Sequence, residues 1–71
     1  MNYALYKDNY EYILITESDE VYSFDDYENI TKLDGKLNMN VEYHHLGKKV
    51  KISDIKSKIV QEYFINLINT K

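Results

Sequence analysis

Adjacent histidines are the first side chains in this sequence that could do chemistry. His44 and His45 follow Glu42 in a stretch of alternating apolar and polar residues. Successive residues of a strand point to opposite faces, so the two imidazoles could not bind one metal ion together. Glu42 and His44 would supply only two ligands on one face. We therefore expect no metal site and no cofactor.

Carboxylates are numerous, yet their pattern does not predict catalysis. General acid-base chemistry needs two carboxyl groups with separated pKa values in a cleft, and a chain of 71 residues has little room for one. The only glycines are Gly35 and Gly47, which excludes a glycine-rich phosphate loop. Cysteine is absent, so a thiolate nucleophile is absent as well. We expect a protein that is not an enzyme and has no catalytic residues.

Acidic and tyrosine side chains are interleaved between residues 17 and 28. Clustered carboxylates with aromatic neighbours can occupy a basic groove that otherwise holds nucleic-acid phosphate, the rings serving as desolvated anchors. This predicts a partner-binding surface made of Glu17, Asp19, Glu20, Tyr22, Asp25, Asp26, Tyr27 and Glu28. The expected partner is a protein with a basic groove, and the expected activity is inhibition by occluding that groove.

Charge is divided between the two halves of the chain. Residues 1–35 carry two lysines against nine acidic residues, a net charge of −7, whereas residues 36–71 carry seven lysines against three, a net charge of +4. A simpler interpretation has equal weight at this point: the charges belong to ordinary solvated loops, or the opposed halves attract each other within the fold.

Lysines in the second half provide an alternative function. The basic patch Lys48, Lys49, Lys51, Lys56 and Lys58 could contact a phosphate backbone, as in a weak nucleic-acid-binding regulator. All nine basic residues are lysines, so bidentate recognition of guanine by arginine is excluded. An isoelectric point of about 5.2 also disfavours nucleic acid as the partner.

These side chains must be positioned by a small sheet, beginning with a β-meander. Short strands are predicted at residues 3–6, 10–16 and 21–24, separated by turn residues. In the second of them, Tyr12 and Leu14 share one face while Ile13 and Ile15 share the other. Apolar residues on both faces predict a central strand that is covered on two sides.

Residues 23–35 allow two interpretations. Ser23 and Asp26 resemble a capping box, and Tyr27, Ile30 and Leu33 have helical spacing, which favours a short helix over residues 24–31. Alternatively, residues 30–33 are a strand that enters a two-residue hairpin turn at residues 34–35.

The remainder of the chain predicts two strands and a helix. Residues 37–44 alternate strictly between apolar and polar side chains, and residues 49–52 resume the alternation after Gly47. Ser53 is the predicted N-cap of a helix that ends near Asn69. Its apolar stripe is Ile59, Val60, Tyr63, Phe64, Leu67 and Ile68, with Ile65 outside it.

The predicted fold is therefore a single α+β domain, residues 1–71. It consists of about five mainly antiparallel strands in the order β-β-β-(α)-β-β-α, with the C-terminal amphipathic helix packed on the sheet. The breadth of the helical stripe also allows a homodimeric structural or assembly protein, with an oligomer face at Phe64, Ile65 and Ile68.

The setting that composition favours is the cytoplasm. No apolar run approaches the roughly 20 residues of a membrane span, and the N-terminus lacks the features of a signal peptide. Abundant Lys, Asn, Ile and Tyr without Arg or Pro suggests an AT-rich genome, which favours a phage or mobile element as the source.

Overall fold

The structure is a computed structural model that describes residues 2–69. Its elements are strands β1 (Tyr3–Asp8), β2 (Glu11–Thr16), β3 (Glu20–Asp25), β4 (Ile30–Lys36) and β5 (Lys48–Lys49), and helix α1 (Lys58–Asn69). Single 3₁₀ turns lie at His44–Leu46 and Ile52–Asp54. The order confirms the predicted α+β class with five antiparallel strands and a C-terminal helix.

Strands β1 to β4 form an antiparallel meander, and β5 returns to the free side of β1. The order across the sheet is β4-β3-β2-β1-β5, so β2 is the central strand. Its side chains are buried on both faces: Tyr12 and Leu14 face the helix, whereas Ile13 and Ile15 face the opposite side. The predicted central strand with two covered faces is confirmed.

Helix α1 covers one face of the sheet with a compact aromatic core. Val60 and Phe64 are the fully buried residues of the helix. The Phe64 ring lies 4.5 Å from that of Phe24, which stacks on Tyr12 at 4.8 Å with an angle of only 3° between the planes. Full burial of a large apolar side chain contributes about 1.5–3 kcal/mol, so these rings are a main source of stability.

The opposite face is covered by residues 37–46, which corrects one prediction. We predicted a strand here from the alternation of apolar residues, but residues 37–43 belong to no strand. Leu37, Met39 and Tyr43 do point inward and pack on Ala4 and Tyr6. The alternation predicted burial correctly for these three residues but not for Val41, which is exposed. The irregular segment contacts the sheet through side chains and joins no β-ladder.

In residues 23–36 the predicted helix and the predicted hairpin turn are both wrong, whereas the strand predicted at residues 30–33 is confirmed as the first part of β4. No helix forms at residues 24–31, because β3 continues to Asp25 and a turn leads directly into β4. Within that turn the Asp25 carboxylate accepts hydrogen bonds from the backbone amides of Tyr27 and Asn29. Such local bonds compete with helix formation, and Glu28 takes the left-handed conformation, with φ 69°.

The hairpin turn predicted at residues 34–35 is also wrong. Val21 of β3 pairs with Leu33, and the preceding Glu20 pairs with Lys36, so Asp34 and Gly35 are extra residues in β4. The amide of Leu37 then donates to the carbonyl of Asp19, which continues the pairing beyond the irregularity. Residues 34–35 are thus a β-bulge within one strand.

Helix α1 begins later than the sequence indicated. Ser53 lies within the second 3₁₀ turn and does not begin the helix. The hydroxyl of Ser57 instead accepts a hydrogen bond of 3.3 Å from the backbone amide of Val60. The carbonyl of Ser57 also accepts the first helical hydrogen bond, from Gln61. Ser57 is therefore the N-cap. The strand predicted at residues 49–52 is wrong in its extent, since β5 comprises only Lys48–Lys49 and Ile52 begins the second 3₁₀ turn.

Within residues 2–69, no helix combines the length and the apolar content that crossing a membrane would require.

Candidate functional site

The predicted partner-binding surface is divided by the fold into two groups. Glu17, Asp19 and Glu20 lie around the β2–β3 turn, whereas residues 25–28 form the β3–β4 turn. The turns stand at opposite ends of β3, whose five residue steps of about 3.3 Å separate them by roughly 17 Å. Tyr22, midway between them, is buried with its ring edge-on to Phe64. The fold therefore does not bring the eight residues together.

Acidic side chains of the β2–β3 turn are engaged locally. The Glu17 carboxylate accepts a hydrogen bond of 2.9 Å from the Asn2 amide group. Glu20 forms an ion pair of 2.8 Å with Lys32 of the neighbouring strand, and this contact raises the pKa of Lys32. Asp19 adopts φ 68°, a left-handed conformation that aspartate tolerates in turns. This group is explained by turn formation and strand pairing.

The β3–β4 turn is built around the Asp25 carboxylate. It accepts hydrogen bonds from the Asn29 side-chain amide at 2.9 Å, the Tyr27 backbone amide at 2.8 Å and the Asn29 backbone amide at 3.2 Å. These donors, the Asn29 side chain foremost, lower the pKa of Asp25. Asp25 thereby fixes a turn that leaves the Tyr27 side chain 80% exposed.

Asp26 is tied to the core through Tyr12. The Tyr12 hydroxyl donates a hydrogen bond of 3.0 Å to the Asp26 carboxylate. Burial and, secondarily, this carboxylate raise the pKa of Tyr12 to about 12. Glu28 lies on the other side of the turn, 3.5 Å from the hydroxyl of Ser57 at the start of α1. The turn is therefore held at fixed points on the domain.

Three further residues, not singled out from the sequence, join this turn in space. Asp8 pairs with Glu11 across β1 and β2, and Glu11 pairs with Asp25 across β2 and β3. Directly opposed residues share a sheet face, so three carboxylates form a row across three strands. Tyr10, 65% exposed, stands in the connecting turn.

We call this region the acidic end. It consists of Asp8, Tyr10, Glu11, Asp25, Asp26, Tyr27 and Glu28. The predicted meander contained the signal for it: antiparallel pairing across the first two turns already places Asp8 and Glu11 beside Asp25.

Opposed charge in the two halves does not lead to ion pairs between them. Residues 2–69 form two ion pairs, Lys32 with Glu20 and Lys49 with Glu42, and each lies within one half of the chain. Asp8 and Glu11 are exposed and take part in neither. Like charges opposed on neighbouring strands are destabilising, so Asp8 and Glu11, unlike the turn-forming Asp25, bring no evident benefit to the fold.

The basic patch is spread along one edge of the sheet and the segment that leads to α1. Lys48 pairs directly with Lys7 of β1, and Lys49 pairs with Tyr6. The Lys49 ammonium also lies 5.9 Å from the centre of the Tyr6 ring, in addition to its ion pair. All five predicted residues are exposed: Lys48, Lys49, Lys51, Lys56 and Lys58.

The predicted oligomer face belongs to the chain's own core. Phe64 has no exposed surface, and Ile65 and Ile68 are half-buried against the same cluster. Phe64 therefore cannot contact a second copy while this core is intact. The apolar side chains that α1 does expose are Ile59 and Tyr63, which corrects their predicted place in the apolar stripe.

His44 and His45 lie in a 3₁₀ turn, and Glu42 bonds to Lys49. Over residues 2–69, no three histidine, aspartate or glutamate side chains are grouped so that they could hold a metal ion.

Comparison with protein-family models, with curated proteins and with solved structures finds no match to this chain.

Proposed function

We propose that this chain is a small non-enzymatic protein-binding domain whose acidic end occupies a basic, nucleic-acid-binding groove of a partner protein. Binding would inhibit the partner by occluding that groove. The observation that carries the proposal is the row of Asp8, Glu11 and Asp25 across three strands, flanked by the exposed rings of Tyr10 and Tyr27.

Physical complementarity supports this function. Carboxylates in a row across neighbouring strands present negative charge at spacings of about 5 Å, the distance between those strands. A basic groove gains from such a surface because opposed potentials steer the encounter and fix its register. Tyrosine rings beside the charges supply the apolar contact area that typically dominates binding energy.

Rigidity supports it as well. The β3–β4 turn is fixed by the three hydrogen bonds to Asp25, and Asp26 is fixed by the bond from Tyr12. A surface that is already ordered loses little conformational freedom on binding, and this favours affinity. We further propose that the protein acts in the cytoplasm and is encoded by a phage or mobile element, as its composition suggests.

The decisive experiment compares two charge-reversed variants as immobilised baits in lysate of the natural host. Asp8→Lys/Glu11→Lys alters the acidic end, whereas Glu17→Lys/Asp19→Lys alters the other end of β3 as a control. Circular dichroism must first show that both variants keep the fold.

We expect the native chain and the control to retain a protein that the acidic-end variant does not retain. Duplex DNA should displace that protein, because both ligands would use one groove, and raised salt should elute it. Equal retention by both variants, or retention unaffected by DNA, would contradict the proposal.

A second proposal, nucleic-acid binding through the basic patch, is favoured by one observation: Lys7 of β1 adds its charge beside Lys48. A gel-shift titration with duplex DNA at low and raised salt distinguishes the two functions. Phosphate binding would show a steep loss of affinity with salt, whereas the groove-binding function predicts no shift of the DNA.

A further inference from the structure

Asp34 and Gly35 form the bulge of β4. They are also the only place in the sequence where an aspartate or asparagine is followed by glycine. Glycine has no side chain to hinder its backbone nitrogen, which is therefore an accessible nucleophile for the preceding carboxyl group. An intramolecular reaction of this kind depends on how readily the two groups can approach.

The bulge provides that freedom. The pairs Val21–Leu33 and Glu20–Lys36 bracket residues 34–35, which have no partner residues in β3. Both residues are exposed, and a Cβ atom placed on Gly35 would find no atom within 4 Å. The surroundings therefore do not oppose the rotation that brings the Asp34 carboxyl group to the Gly35 nitrogen.

Other aspartates of the domain are either restrained by hydrogen bonds or followed by a residue with a side chain. Asp25 and Asp26 accept the hydrogen bonds that hold the β3–β4 turn, and Asp54 accepts the backbone amide of Lys51 at 3.0 Å. Asp8 and Asp19 precede residues with side chains, Asn9 and Glu20. No hydrogen bond or ion pair of residues 2–69 restrains the Asp34 carboxylate.

We propose that Asp34 is a site of spontaneous isomerisation to isoaspartate in the folded protein. The Gly35 nitrogen attacks the side-chain carboxyl carbon of Asp34, a C–N bond forms, the nitrogen loses its proton, and one carboxyl oxygen leaves as water. Water then adds to the resulting succinimide. Cleavage of the ring at the original backbone carbonyl leaves the main chain running through the former side chain, with no net change in atoms or electrons.

The fold should tolerate the product. Isomerisation inserts one methylene into the main chain between two intact pairs, at a point where the strand already carries two extra residues. Lys32 and Lys36 on either side, together with the bulge, are features that discourage an edge strand from pairing with another chain. The modification alters this edge and leaves the acidic end unchanged, so its test is independent of the proposed function.

The test incubates the folded full-length chain at physiological temperature and neutral pH for several weeks. Brief tryptic digestion in mild acid then releases the peptide of residues 33–36, Leu-Asp-Gly-Lys. Synthetic peptides with aspartate and isoaspartate serve as chromatographic standards, and electron-transfer fragmentation identifies the isomer. A parallel sample in guanidinium chloride gives the rate of the unfolded chain.

We expect isoaspartate to accumulate at position 34 in the folded chain within a few-fold of the unfolded rate. Asp34→Glu should abolish the altered peptide, since the longer side chain cannot close a five-membered ring. Gly35→Ala should slow its formation several-fold, and Asp34→Asn should accelerate it. Formation in guanidinium chloride without formation in the folded chain would overturn the proposal, as would an altered peptide that persists in Asp34→Glu.

Discussion

The Tyr43 backbone amide donates a hydrogen bond of 3.3 Å to the hydroxyl of Tyr6, and the two rings meet edge-on with their centres 6.4 Å apart. The same hydroxyl donates to the carbonyl of Val41 at 3.2 Å. Tyr6 is fully buried in β1, so one side chain of the sheet holds the irregular segment of residues 37–46 by two backbone groups. That segment covers a whole sheet face without a β-ladder.

Removing the Tyr6 hydroxyl should weaken the attachment of residues 37–46 to the sheet. Tyr6→Phe keeps the ring but leaves the Tyr43 amide and the Val41 carbonyl without their partner, at a cost of about 1–3 kcal/mol. Urea unfolding measures the free energy, and hydrogen exchange should show faster exchange at the Tyr43 amide. Tyr10→Phe, at an exposed position, is the control and should change neither. Unaltered protection of Tyr43 in Tyr6→Phe would refute this role.

Replacement by alanine should destabilise the protein at Gly47 but not at Gly35. Gly47 has φ 110°, and a Cβ atom there would overlap the backbone carbonyl of Lys7. Gly47→Ala should therefore lower stability by about 1–3 kcal/mol, through backbone strain and displacement of β1. Gly35→Ala meets open space and should be nearly neutral. The two midpoints of thermal unfolding test this, and equal values would contradict it.

Because Ser57 is the N-cap of α1, replacing it by alanine should lower the stability more than replacing Ser53. Ser57→Ala removes the oxygen that accepts the Val60 amide and should cost about 1 kcal/mol. Ser53→Ala, in the preceding 3₁₀ turn, should have a smaller effect because Ser53 does not cap α1. Chemical denaturation of both variants measures the difference. A larger loss in Ser53→Ala would restore the helix start predicted from the sequence.

Tyr12 should make the fold sensitive to alkali. Its pKa is about 12 in the folded chain and about 10 when unfolded. The unfolded state thus loses its proton first, so the stabilisation is complete below pH 10 and is lost as pH rises from about 10 to about 12. Tyr12→Phe removes this group and should show a shallower decline in unfolding free energy over that interval. If the unfolding free energy of both proteins declined equally with pH over that interval, Tyr12 would not be the cause of the sensitivity.

Local patterns were enough to predict the meander and the helix. Turns of a few residues between short strands permit antiparallel neighbours, and apolar residues on both faces of β2 required cover on both sides. Even the acidic end followed from this, because pairing across two short turns fixes which carboxylates become neighbours. By grouping acids along the chain, we instead predicted a surface that β3 divides between its two ends.

The sequence by itself determined the α+β class, the central position of β2 and the presence of a C-terminal amphipathic helix, since each depends on the period of apolar residues along a short segment. The tertiary structure decided which residues of α1 are buried, because Ile59 and Tyr63 of the predicted stripe are exposed whereas Ile65 packs on the core. Tertiary structure alone decided how residues 37–46 cover the second face and where α1 begins. It also decided that Asp34 and Gly35 form a bulge. In each case several local conformations fit the same residues, and distant partners selected among them: Tyr6 for Val41 and Tyr43, and β3 for the two ends of β4.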